Sequence, residues 1–321
     1  MNPQGEIAAA LGRQLSESQG IHDDRTYRGL ASMLEKTEIR RIIETTLRED
    51  VGPGDVTTGA VLTGLEVGRA RAVAKAELVI AGLDVFREVF LALDPEVRFV
   101  SRKKDGQKVK KGAVIAEVSG MLKSILQAER VALNLFQRMC GVATFTRRYA
   151  DLVKGTEAKI LDTRKTAPGL RILDKYAVRV GGGVNHRFAL YDGVLIKNNH
   201  IDAVGGIRTA LARARAKVGP LLKVEVEVRD LGEVKEAVAA GADMIMLDNM
   251  GISDMNRAVR FVAGRIPIEA SGNVSLESVR GIAETGVDFI SVGALTHSVA
   301  AADISLTVFS VGRKNEGKRR R

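Results

Sequence analysis

Arg164, Lys165, His186, Arg187 and Lys197 lie within forty residues of one another, beside glycine turns and short apolar runs. They belong to Leu161-Asp-Thr-Arg-Lys-Thr-Ala-Pro-Gly-Leu170, Gly181-Gly-Gly-Val-Asn-His-Arg187 and Leu195-Ile-Lys-Asn-Asn-His200. Any one of these cations alone reads as a solvated surface group. Five at strand ends read as a pocket built for a polyanion. Downstream, Glu227 and Asp248 each close an apolar run, and carboxylates so placed suit hydroxyl groups or a hydrated Mg²⁺. The plainer alternative for each is a salt bridge to a neighbouring cation. Ser271-Gly272-Asn273 and Val292-Gly293-Ala294 follow two later runs. Small residues there let backbone N–H groups approach a phosphate, although a single turn glycine would look the same.

Such residues need rigid elements to aim them. Six apolar runs, at 158–162, 193–197, 222–227, 243–248, 267–271 and 288–293, alternate with helical segments, and 240–248 nearly repeats as 285–293. Buried, nearly continuous strands between helices predict a parallel sheet covered by helices. No glycine-rich dinucleotide fingerprint or Walker pattern accompanies them. The runs end in Thr163-Arg164-Lys165, Lys197, Glu227, Asp248, Ser271 and Gly293. Polar ends of all six strands would converge on one mouth in a barrel, so an α/β barrel rather than an open sheet is expected over 141–299.

Upstream, Ile39, Ile42, Ile43 and Leu47 have helical spacing from about Glu38 to Leu47, and Glu49–Thr58 reads as a turn-rich loop. Strands are predicted at 70–76, 78–82, 97–100 and 113–118, with a helix over 83–93 and a long amphipathic helix from Ser124. This mixture predicts an N-terminal α+β module over 36–140. Residues 1–35 read as a loose leader, and 300–321 as a segment that packs back on this module.

Bulk properties narrow the function. A chain of 321 residues is long for one domain, and 45% hydrophobic with 27% charged content is ordinary for a soluble globular protein. The one cysteine, Cys140, excludes an internal disulfide and a cysteine zinc cluster, and fits a reducing, cytoplasmic setting. In its apolar helical run it reads as a small core residue. No run is long and apolar enough for a membrane span. The net charge of +10 fits nucleic acid, a membrane surface or a small anion. Aromatics are 4% and tryptophan is absent, which argues against stacking on single strands, so the small anion is favoured. The tail Lys314-Asn-Glu-Gly-Lys-Arg-Arg-Arg321 keeps a nucleic-acid-binding reading open as the alternative class.

From about Glu38 to Leu306 the order and context of the motifs resemble the quinolinate phosphoribosyltransferases, decarboxylating type II phosphoribosyltransferases of NAD synthesis. The resemblance implies an N-terminal α/β sandwich joined to a C-terminal incomplete α/β barrel of about six parallel strands, with quinolinate, phosphoribosyl pyrophosphate and Mg²⁺ as ligands. Arginine forks match carboxylates, so Arg130, Arg164 and Arg187, with His186, Thr163 and Lys165 beside them, would clamp the quinolinate dianion. The catalytic set would be Lys165 and Lys197, facing the pyrophosphate and the developing charge, and Glu227 and Asp248, facing the ribose hydroxyls and the metal. Ser271, Gly272, Asn273, Val292, Gly293 and Ala294 would hold phosphate. The resemblance also implies a homodimer or higher homo-oligomer, with Arg130 donated across the interface. Neither nucleic acid nor membrane is expected as a partner, and His200 and His297 are expected to serve structure or to support the site's residues rather than act in catalysis. A nicotinate-specific relative is the nearest rival. Three positions depart from the family pattern: Val184 where His is common, Asn198 where Asp often follows the lysine, and Asn273 where a second glycine is frequent.

Overall fold

A computed structural model describes residues 24–313, with side chains from residue 36. The tail 314–321 and the leader up to residue 23 lie outside the described residues. The first helix, Asp24–Val51, starts within the stretch read as leader and contains the expected segment 38–47. The turn-rich loop after it holds a short helix, Val56–Val61, which the sequence reading treated as loop. Asp55 nucleates it by accepting the Thr58 N–H at 2.9 Å.

Strands β1 (Glu66–Ala74), β3 (Arg98–Ser101), β5 (Val114–Met121) and β12 (Ile304–Arg313) form an antiparallel sheet in the order β12-β1-β5-β3. A small ribbon pairs β2 (Leu78–Val79) with β4 (Lys108–Val109). In β1, Ala70, Ala72 and Ala74 alternate inward and are fully buried, so the covering helices approach closely. The helices Leu83–Leu93 and Leu122–Leu152 supply the core there, with Phe86 stacked on Phe136 at 4.7 Å and edge-on to Phe90 at 5.3 Å. Arg71 points outward over the Phe309 ring, 3.9 Å from its centre, and tethers β12 to β1.

The second sheet is all parallel, in the order β6-β11-β10-β9-β8-β7. Its members are β6 (Lys159–Leu161), β7 (Val194–Ile196), β8 (Val224–Val228), β9 (Met244–Asp248), β10 (Ile268–Ser271) and β11 (Phe289–Ser291). Each coincides with one of the six predicted runs. The strand Val-Glu-Val-Glu-Val shows how the barrel is built: Val224, Val226 and Val228 are fully buried, while Glu225 and Glu227 alternate with them on the opposite, inward face. The edge strands β6 and β7 do not pair with each other. Val184 bridges to Leu161 on β6, and the loop that follows it runs to β7 across that opening. The barrel is therefore incomplete, and the gap is closed by the loop carrying His186 and Arg187.

The helix Leu122–Leu152 runs unbroken through the expected domain boundary near residue 140 and serves both cores. Gly141 on it has no room for a side chain, because the Ala300 carbonyl packs against it. Cys140 is fully buried and takes the Ala81 N–H at 3.4 Å, and burial pushes its thiol well up from the ordinary range.

Candidate active site

Polar strand ends converge on a cavity of about 790 Å³ at the carboxyl face of the barrel. One wall carries Thr163, Arg164, Lys165, His186, Arg187 and Lys197. Glu227, Asp248, Ser271, Gly272 and Asn273 continue the lining, and Val292, Gly293 and Ala294 complete the circuit. Every residue assigned to the site from sequence lines this cavity except Arg130. Arg130 is exposed on the long helix. His297, expected to serve structure or support the site's residues, stands on the cavity wall beside Gly293, with Nδ1 2.5 Å from Ser298 Oγ. His200 is outside it; its ring accepts the Lys197 N–H at 2.9 Å and caps the helix Asn198–Val204.

The cationic wall is held by a buried network. Lys175 Nζ donates to Asp162 Oδ1 at 2.6 Å and to the His186 carbonyl at 3.0 Å. Asp162 Oδ1 also accepts the His186 N–H at 2.8 Å, and the Asn185 amide reaches Asp162 Oδ2 at 2.8 Å. Burial raises the proton affinity of Asp162 and lowers that of Lys175; each charge opposes the shift in the other. Beside this pair, Arg138 forks onto the buried Asp174 with two bonds of 2.8 Å. Arg187 donates to the Gly193 carbonyl at 2.7 Å, which ties the two ends of the loop together. Burial, then the nearby Arg164 charge, holds its guanidinium below the usual range.

The carboxylate side is equally constrained. Glu227 and Asp248 end adjacent parallel strands. Burial raises the proton affinity of Glu227; the Lys197 charge opposes this and the Asp248 charge adds to it. Lys197 Nζ stands 3.6 Å from Glu227 Oε2, and Asn198 donates to Glu227 Oε1 at 3.3 Å. An aspartate at 198 could not make that donation, so the departure there exchanges a charge for a hydrogen bond. Asn249 and Asn273, which follow the ends of β9 and β10, take left-handed backbone with φ of 54° and 48°. Asparagine is the side chain that best tolerates this conformation, which explains Asn273 where glycine is frequent. Asn273 also donates to Asn249 Oδ1 at 3.0 Å, linking the two turns. Val184 acts through its backbone: its N–H donates to the Ile160 carbonyl at 2.8 Å, its carbonyl takes the Asp162 N–H at 3.1 Å, and its side chain is exposed.

Sequence reasoning missed the floor. Glu225 and Glu269 lie below the rim, with His186 Nε2 at 3.0 Å from Glu225 Oε2 and 3.5 Å from Glu269 Oε2. His186 Nδ1 accepts the Arg187 N–H at 2.7 Å, so the ring proton belongs on Nε2, facing the acids. These three side chains form a group that could hold a metal ion by type and distance. Their signal in the sequence is parity: residues two apart on a strand share a face.

Family models match both parts of the chain: the N-terminal domain of quinolinate phosphoribosyl transferase over residues 55–140 and its C-terminal domain over 142–307. The chain belongs to the quinolinate phosphoribosyltransferase family. Among curated relatives, a probable nicotinate-nucleotide pyrophosphorylase [carboxylating] of Bacillus subtilis is 45% identical over 271 residues, covering 84% of this chain and 93% of the relative. Quinolinate phosphoribosyltransferase [decarboxylating] 1 of Nicotiana glauca is 42% identical, covering 87% and 86%. Of solved structures, NadC from Streptococcus pyogenes superposes with a TM-score of 0.83 at 41% identity, over 85% of this chain and 97% of that one. The nicotinate-nucleotide pyrophosphorylase from Francisella tularensis gives 0.82 at 42%, over 85% and 96%. This quinolinate phosphoribosyltransferase family member has, among its described residues, no helix long and apolar enough to cross a membrane.

Proposed function

We propose that the chain transfers a phosphoribosyl group from phosphoribosyl pyrophosphate to the ring nitrogen of quinolinate, releasing pyrophosphate and carbon dioxide and forming nicotinate mononucleotide. The observation that carries this is the pairing of a cationic wall with carboxylates on two adjacent strand ends in one cavity. A pentosyl transfer with a doubly charged acceptor needs both.

Arg164 and Arg187 face the acceptor carboxylates, and Lys165 and Lys197 the diphosphate leaving group. Glu227 and Asp248 accept the ribose hydroxyls. Backbone N–H groups around Gly272 and Gly293 receive the 5′-phosphate; the missing side chains make room for Asn249 at Gly272 and for Lys165 and His297 at Gly293. The residues present also fit Mg²⁺: Glu227 Oε2 is buried without a hydrogen-bond partner, and Glu227 and Asp248 offer hard oxygen donors. When bound, that ion would neutralise the departing pyrophosphate. Once the ring nitrogen is alkylated, its positive charge draws electron density from C2 and labilises the carboxylate there. The walls need only hold the ring and exclude water.

Arg130 lies on the long helix, away from its own cavity. We assign it to the cavity of a partner subunit, which makes a homodimer or a higher homo-oligomer the active unit. A cytoplasmic setting accords with the free buried thiol of Cys140. Mass spectrometry of protein incubated with phosphoribosyl pyrophosphate, Mg²⁺ and either quinolinate or nicotinate tests the reaction. Nicotinate mononucleotide from quinolinate alone is expected. Product from nicotinate alone would overturn the dicarboxylate clamp.

A further inference from the structure

The cationic wall and the phosphate edge of the cavity are tied together behind it. Lys165 follows β6 and Gly293 follows β11, and those strands are neighbours in the sheet. The stem of Lys165 lies across Gly293, where a Cβ would stand 3.0 Å from Lys165 Cδ. Among the described residues the Lys165 ammonium makes no ion pair. A lysine is a point charge on a flexible four-carbon stem, so its head falls where the backbone launches it. That backbone is held at two points. The Lys165 N–H donates to Thr163 Oγ1 at 3.0 Å, and the Lys165 carbonyl accepts the Thr296 hydroxyl at 2.8 Å. Among the described residues no backbone N–H donates to that carbonyl.

Thr296 belongs to the short helix Ala294–His297, which begins at the Gly293 turn, and it is 1% exposed. A helical threonine ordinarily turns its hydroxyl to a carbonyl three or four residues back. Here that carbonyl, on Gly293, is 3.4 Å away, and the shorter bond goes to Lys165, 131 residues distant in the chain. A second connection fixes both partners. Arg138 Nη2 donates to the Thr296 carbonyl at 2.9 Å while the same guanidinium forks onto Asp174. Asp174 Oδ2 also accepts the Ala167 N–H at 3.1 Å, two residues beyond Lys165. Asp174 is fully buried, so this knot is shielded from water and keeps its geometry.

We propose that Thr296 is a positioning residue for donor binding: its hydroxyl sets the backbone of Lys165, and through it the ammonium that meets the diphosphate. The proposal rests on the reaction proposed above. Phosphoribosyl pyrophosphate carries phosphate at both ends of the ribose, so a site that grips it must hold two anion subsites at one separation. The Gly293 turn serves one end and Lys165 the other. The bond from Thr296 to the Lys165 carbonyl joins the two subsites directly, and the Arg138–Asp174 fork keeps the joint from sliding. Neither Thr296 nor Arg138 lines the cavity. Thr296 acts through Lys165.

The test is a double-mutant cycle read by calorimetric titration of the full chain with phosphoribosyl pyrophosphate and Mg²⁺. Quinolinate is left out, so donor binding is measured without turnover. Thr296→Val keeps the shape and removes the hydroxyl, and it is expected to weaken donor binding about 5-fold, the scale of one lost hydrogen bond. Thr296→Ser returns the hydroxyl and is expected to stay within about 2-fold of the parent. In a Lys165→Met background the valine substitution is expected to change donor affinity by less than about 2-fold, because the ammonium it aims is gone. A purely structural threonine would weaken binding equally with and without the Lys165 ammonium, and that result overturns the proposal. Unchanged donor affinity in Thr296→Val overturns it too. Should valine prevent folding, Thr296→Ala takes its place in the same cycle. A parent that binds the donor but makes no nicotinate mononucleotide from quinolinate counts against the reaction, and the binding cycle still decides Thr296. A parent that binds no donor overturns both.

Discussion

Replacing Lys175 by methionine tests whether the buried network, rather than the cavity surface, sets the geometry of the acceptor loop. Lys175 is 2% exposed and Asp162 is 0% exposed, and the ammonium makes bonds of 2.6 Å to Asp162 and 3.0 Å to the His186 carbonyl. Methionine fills nearly the same volume, so the loss is of charge and donors. Breaking a buried pair from one side costs about 3–5 kcal/mol. Asp162 keeps the His186 N–H and the Asn185 amide and already has a raised proton affinity, so it can take up a proton instead of standing as a bare charge. That relief favours the lower end, about 3 kcal/mol, or a fall in Tm of about 6–12 °C for a domain of this size. Its sign with pH is fixed. A carboxyl whose folded pKa is raised contributes stability below its unfolded pKa and loses it as pH rises through the folded value, so the deficit of Lys175→Met should shrink toward pH 4 and widen toward pH 8. Calorimetry across that range and steady-state kinetics are the assays. The KM for quinolinate should rise while affinity for phosphoribosyl pyrophosphate holds, because Glu227 and Asp248 stand on other strands. Adding Asp162→Asn should recover part of the loss, since it removes the orphaned acid. A Tm within about 2 °C of the parent, with an unchanged KM for quinolinate, would refute the reasoning.

Three further outcomes are expected. Arg130→Ala should lose quinolinate binding and Asp248→Ala phosphoribosyl pyrophosphate binding; if Arg130 crosses to a partner, equal mixtures that exchange subunits should recover about a quarter of parental activity, as one intact site forms per hybrid dimer. Absence of any recovery after verified exchange would place Arg130 in its own subunit's chemistry. Glu269→Gln should flatten the pH dependence of stability: the pKa of Glu269, raised by burial and then by the Glu225 charge, means the parent loses stability as pH climbs from the unfolded value toward the folded one, so the variant should melt higher than the parent at pH 8 but not at pH 4. Equal pH slopes in thermal melts would show that Glu269 is not held protonated. Cys140, fully buried with its thiol pushed up, should resist alkylation in the native protein and react after denaturation; rapid native labelling by mass spectrometry would contradict the core assignment.

The upper half of the site was legible in the sequence because its residues interrupt apolar runs. Lys197, Glu227, Asp248, Ser271 and Gly293 each announce the end of a strand, and the barrel gathers every strand end at one mouth. The fold was legible for the same reason, since all six parallel strands are short apolar runs punctuated by polar residues. What escaped lies inside those runs. Glu225 and Glu269 were counted as part of strands 222–227 and 267–271, where a single acid among valines and isoleucines looks like tolerance rather than design. Lys175 sits in the helix Arg171–Gly181, whose pattern of charges is that of any surface helix, and nothing local shows that this lysine turns inward. The helix Val56–Val61 was passed over because two threonines, a glycine and two valines are poor helix formers; the Asp55 cap and the burial of Thr58 override that propensity. A run of residues shows only that it is apolar as a whole, while chemistry depends on which alternate residue faces the barrel axis. Applying strand parity to Val-Glu-Val-Glu-Val finds the second carboxylate layer as soon as the first is accepted as functional. In a parallel barrel, then, a polar residue two positions before a catalytic strand end is a candidate for the chemistry, because that position faces the same cavity one layer deeper.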